Sequence, residues 1–161
     1  MRKSAPAFFV LALSAAMILP LRGSQEAVAE SVGKAELQKM YMDYLTEEGY
    51  KPEIDEDGDV RFKREGRNYF IQVDDKDLEF FRLVFPNFWP IESEEERTQV
   101  LAAADVSNAK SKVAKVYTVR DNIWASIEIF VAKPEHFKDV FKRSISALEN
   151  GVANFVNKMR E

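Results

Sequence analysis

Apolar residues recur at Leu37, Met40, Tyr41, Tyr44 and Leu45, which draws a single stripe along a helix. Glu36, Lys39, Asp43 and Glu47 fall elsewhere on that cylinder. Gly49 stands where a glycine ends a helix, so the pattern predicts a helix over residues 33–48. The period then changes from helical to alternating. "VRFKR" (60–64), "NYFIQV" (68–73) and "LEFFRLVF" (78–85) are separated by the polar turns "DEDGD", "EGR" and "DDKD", which predicts an antiparallel meander. "YKPEI" precedes them as a short segment that Pro52 demotes to an edge strand or to no strand. In "PNFWP" the two prolines, Pro86 and Pro90, are expected to stop the ladder while Phe88 and Trp89 pack the bend.

A second helix follows, announced by Ser93 and Glu96. This spacing is a capping box, in which the hydroxyl accepts from the amide of Glu96 and the carboxylate reaches back to the amide of Ser93. Val100, Leu101 and Ala104 continue at helical spacing to about Ser107-Asn108. "VAKVYTV" (113–119), the turn "RDN" and "IWASIEIFV" (123–131) predict a hairpin. Pro134 then opens a long helix whose stripe runs from Phe137 through Phe141, Leu148 and Phe155 to Met159. Gly151 lies on that stripe and implies a bend or the close approach of another element. The fold class is α+β: an antiparallel sheet of about five strands with three helices, in the order α-βββ-α-ββ-α.

The start of the chain has a different character. Arg2 and Lys3 precede an uncharged apolar run from Ala5 to Leu21, and "AVA" ends at Ala29. That is the pattern of a secretory signal peptide, so residues 1–29 are expected to be removed on export and residues 30–161 to form one domain, periplasmic or secreted. Removal takes three of the 23 basic residues and one of the 27 acidic ones, leaving a net charge of −6. An acidic domain carries no footprint for nucleic acid, and no membrane contact is expected after cleavage. The chain has no cysteine, which excludes disulfides, thiolate metal sites and a thiol nucleophile.

Catalytic patterns are missing as well. Asp55, Asp57 and Asp59 suggest a calcium loop, but the sixth and twelfth positions are Val60 and Gly66, where such a loop needs glycine and glutamate. A turn whose aspartates bond their own backbone fits better. His136, the one histidine, has no second histidine or cysteine to join it on a metal and reads as a surface residue. No catalytic residue, metal site or cofactor is expected. The strand faces say more. In "IWASIEIFV" one face is Ile123, Ala125, Ile127, Ile129 and Val131, and the other is Trp124, Ser126, Glu128 and Phe130. Phe80 and Arg82 in "LEFFRLVF" share that second face, and so does Phe70 if it faces solvent. Either a helix covers this face too, or the sheet curls onto itself, or the face meets a partner or a second copy.

The helix ending "YLTEEGY", then "DEDGDVRFKREGRNYFIQVDD", then "FFRLVFP", followed by a helix, a hairpin and a long helix, resembles the type III secretion chaperones and the YbjN family over about residues 35–158. The resemblance implies a non-enzymatic domain, often dimeric, that binds protein segments or plays a regulatory role. Those chaperones are cytoplasmic, whereas this chain begins with an export pattern. Two readings follow. In the first, a protein partner or a second copy binds a surface made by Phe80, Arg82, Phe88, Trp89, Trp124, Glu128 and Phe130. In the second, the protein is a periplasmic carrier that holds a small apolar ligand or lipid between the sheet and the last helix, with Phe85, Phe88 and Trp89 at the mouth.

Overall fold

The computed structural model of the protein describes residues 22–161, with side chains from residue 33 onward. The elements are α1 (Arg22–Glu47), β1 (Glu53–Ile54), β2 (Val60–Arg64), β3 (Arg67–Gln72), β4 (Phe80–Pro90), α2 (Glu94–Lys110), β5 (Ala114–Val119), β6 (Asn122–Phe130) and α3 (Phe137–Met159). The order is thus α-ββββ-α-ββ-α, with the short β1 added to the expected strands. All six strands form one antiparallel sheet, ordered β1-β2-β3-β4-β6-β5. Most of the expected export signal, residues 1–21, lies outside the described residues. Residues 22–29 already belong to α1, which begins well before residue 33. "RGSQEAVAESV" contains good helix formers but no apolar stripe, so hydrophobic periodicity could not reveal it. No described helix is long and apolar enough to cross a membrane.

The helix ends behave as their residues dictate. Gly49 takes φ +88°, and the amides of Gly49 and Tyr50 bond Thr46 and Leu45, closing α1 with a Schellman motif. Ser93 Oγ accepts from the amide of Glu96 at 3.1 Å. The return half of the box is shifted by one residue. Glu96 accepts from the amide of Glu92 at 2.7 Å and from the indole of Trp89 at 2.9 Å. These bonds hold the Glu96 carboxyl below the usual carboxylate range.

All three helices lie on one face of the sheet. Phe62, Tyr69, Ile71, Phe81, Leu83, Ile123 and Ile127 point toward them and are fully buried or nearly so. Phe137 stands where α1, β4 and α3 meet, with its ring edge-on to Tyr41 at 4.7 Å and to Tyr44 at 5.0 Å. α2 packs on α3 and β5. Gly151 explains that junction, because a Cβ there would lie 2.7 Å from the Cβ of Ala114 in β5. The hydroxyl of the fully buried Ser107 donates to the Gly151 carbonyl at 2.7 Å.

The expected end of the ladder at "PNFWP" is corrected. β4 continues to Pro90, and pairing resumes at Trp89↔Ile123 and Pro90↔Asn122. Between Phe85 and Trp89 the strand takes two residues more than β6, with Asn87 at φ +51°. This is a bulge. Pro86 occupies it and Pro90 ends the strand, two places where the ladder tolerates a missing N–H.

Candidate functional site

The side of the sheet away from the helices is open among the described residues, and its side chains form a patterned surface. Gln72, Arg82 and Glu128 stand in register across β3, β4 and β6. Arg82 donates to Gln72 Oε1 at 2.5 Å and to the Tyr117 hydroxyl at 2.7 Å. Its Nε lies 3.1 Å from Glu128 Oε1 but off hydrogen-bond alignment. Glu128 also accepts from Ser126 Oγ at 2.9 Å and from Lys115. Burial works against its charge, but the bonds from Lys115 and Ser126 and the Arg82 charge outweigh it, so its pKa sits below the ordinary value.

Aromatic pairs flank this polar centre on both sides. Phe80 and Phe130 face each other across β4 and β6 with centroids 5.5 Å apart, and Phe130 is 77% exposed. On the other side Phe70 meets Trp124 edge-on at 5.9 Å, and the Trp124 indole donates to Asn87 Oδ1 at 2.8 Å. Outward-facing Val84 and Ser126 are nevertheless fully buried, because the longer side chains around them fold over the sheet.

The residues proposed from sequence therefore divide. Phe80, Arg82, Trp124, Glu128 and Phe130 share the outer face. Phe88 and Trp89 do not belong to it. The bulge turns them to the helix side, where both pack edge-on against Phe155 of α3, at 5.3 and 5.7 Å. Phe85 stacks on Phe88 behind them at 5.5 Å. These rings fill the space where a carrier's mouth was expected. Lys115 and Tyr117 were not singled out from sequence. Alternation in "VAKVYTV" places them on one face, but joining them to Arg82 and Glu128 requires the β5-β6 and β4-β6 registers.

The remaining candidates are structural. Asp55 Oδ1 accepts from the amides of Asp57 and Asp59 at 3.1 and 2.9 Å, and Asp59 accepts from the amide of Val73 at 2.8 Å. The loop is a backbone-bonded turn. Burial raises the pKa of Asp59, with the Val73 bond acting against it. His136 is exposed. Among the described residues, no group of three or more His, Asp or Glu side chains could hold a metal.

The rim of the sheet is partly closed. β5 is an edge strand, and the Asn108 side chain from α2 bonds both backbone groups of Val116, accepting from its N–H at 2.7 Å and donating to its C=O at 3.0 Å. One side chain thus stands in for a neighbouring strand.

No curated protein and no solved structure gives a significant match. Residues 35–159 match a family model described as T3SS (YopN, CesT) and YbjN peptide-binding chaperone 1. That match runs from inside α1 to the last residue of α3, so the chain belongs to this family of non-catalytic peptide-binding chaperones.

Proposed function

We propose that the protein acts after export and holds an extended segment of a partner protein against the outer face of its sheet. One observation carries this reading. The face left bare by the helices presents the Phe80–Phe130 and Phe70–Trp124 pairs on either side of the Arg82–Glu128 network. The aromatic pairs supply apolar contact area, and the charged centre supplies orientation. Asn108 obstructs strand addition at the middle of the β5 edge, which favours binding on the face. The basic, apolar and small-residue pattern of residues 1–29 supports export. Cleavage after Ala29 would leave the matched region intact.

The test is binding of a permanently unfolded protein, reduced and carboxymethylated α-lactalbumin, followed by fluorescence anisotropy. The wild-type chain is expected to bind it. Phe130→Ser together with Trp124→Ser is expected to weaken binding at least about tenfold, the scale of a single hot spot, without lowering Tm. Unchanged binding in the double variant would rule out the outer face. A second copy of the chain is the other occupant this face fits. A concentration-dependent dimer that dissociates on Phe80→Ser with Phe130→Ser would identify that occupant. Intact mass of protein recovered from the envelope checks export, with loss of residues 1–29 expected.

A further inference from the structure

The space between the sheet and α3 is filled at the bulge, where Phe88 and Trp89 meet Phe155, and open at the opposite end. There a pocket of about 260 Å³ lies between the start of β5, the second half of β6 and the first half of α3. Val113, Ile127, Ile129, Val140 and Ala147 give it an apolar lining. Val113 is 47% exposed, one of the few large apolar residues left in water among those described. Lys112, on the link from α2, and Arg143 and Ser144, on α3, complete the lining, and no acidic residue contributes.

The charge of the lining is of one sign. Lys39, Arg61, Arg97, Lys115 and Lys142 each have a carboxylate partner, whereas Lys51, Lys63, Lys110 and Lys133 have none among the described residues. Lys112 and Arg143 are exposed and have no ion pair among the described residues. An apolar pocket whose lining holds two cations and no acid is complementary to an apolar group flanked by anions. Its volume falls below the roughly 300–1,000 Å³ of small-molecule sites, which suits an inserted side chain better than a free ligand.

We infer that this pocket is a second recognition site, on the helix side of the sheet, for a partner segment in which one apolar side chain is flanked on both sides by carboxylates. Burial of the apolar side chain drives the contact. The cations set its register and reject segments with basic flanks. The site stands independently of the outer face, because it lies on the other side of the sheet and shares none of that face's side chains.

The test is a titration of the isotope-labelled full chain with the capped tripeptide acetyl-Glu-Leu-Glu-amide, followed by amide chemical shifts. Saturable changes at Val113, Ile129 and Ala147 are expected. Affinity should fall at least about fivefold when alanine replaces the leucine of the probe, and again when glutamines replace its glutamates. Lys112→Glu with Arg143→Glu should weaken binding at least about tenfold while the rest of the spectrum stays in place. Lys112→Gln with Arg143→Gln should lie between that variant and wild type. Phe130→Ser should bind the probe as wild type does. Lack of a saturable change at the pocket, equal affinity for the glutamine probe, or undiminished binding in the charge-reversed chain would overturn the inference.

Discussion

The two faces of the sheet carry similar numbers of aromatic rings and treat them in opposite ways. On the helix side, Phe62, Tyr69 and Phe81 are almost fully buried, and Phe137 meets three other rings edge-on or tilted. On the outer side, Phe70, Phe80 and Trp124 are half-buried and Phe130 is largely in water, with a charged network between the pairs. The inner rings gain their burial from helices of the same chain. The outer rings have no helix over them and gain theirs from neighbours on the sheet face alone. Aromatic content therefore says little about function until the face it occupies is known.

That contrast predicts a wide spread of mutational effects. The largest belongs to the inner face. Phe137→Ala is expected to cost about 3–5 kcal/mol in chemical denaturation, the usual loss for a buried ring. Phe130→Ala should change stability by less than about 0.5 kcal/mol, as exposed sites do. Comparable losses at the two positions would mean that the outer face is covered in the free protein.

Gly151→Val comes next. It drives a branched side chain into Ala114 of β5 and should cost about 1–3 kcal/mol, the range for overpacking, despite a better helix propensity. A neutral result would show that α3 can slide away from β5. Asn108→Ala tests the rim. It strips two bonds from the backbone of Val116 and should cost about 1–2 kcal/mol. It should also raise the rate of aggregation in light scattering, since it bares an edge strand.

The smallest effect is electrostatic and separates the outer network from the buried turn. The folded state lowers the pKa of Glu128, so its contribution is fully present above the ordinary carboxylate pKa and fades as pH falls below about 4.5. Asp59 has the opposite sign, because burial raises its pKa and protonation relieves a penalty in the folded state. Glu128→Gln should therefore flatten the acid limb of stability against pH, measured by denaturation between about pH 3 and 6. An unchanged slope would mean that the Arg82–Glu128–Lys115 network is too mobile to matter.

Much of this molecule could be read locally. A three-to-four residue stripe and Gly49 located the end of α1, Ser93 and Glu96 located the start of α2, and turn residues separated the strands, because each signal acts within a few residues of itself. The aspartate turn was legible for the same reason. Alternation also placed Phe80, Arg82, Trp124, Glu128 and Phe130 on one face. Periodicity is blind to helix without an apolar stripe, so the early start of α1 was not visible. The bulge was not visible either. Two prolines in five residues read locally as a stop, whereas pairing with β6 carries β4 past them to Pro90.

Sequence alone thus determined the element order apart from the short β1, the α+β class, the lack of cysteine chemistry and the faces of the individual strands. Only the tertiary structure decided which face the helices cover, and with it the side on which each ring lies. It turned Phe88 and Trp89 inward onto Phe155, joined Tyr117 and Lys115 to Arg82 and Glu128, and left a pocket at the β5 end of α3. The physical reason is range. Backbone propensity and side-chain alternation act between neighbours along the chain, while register, bulges and helix placement are set by contacts between residues far apart in it.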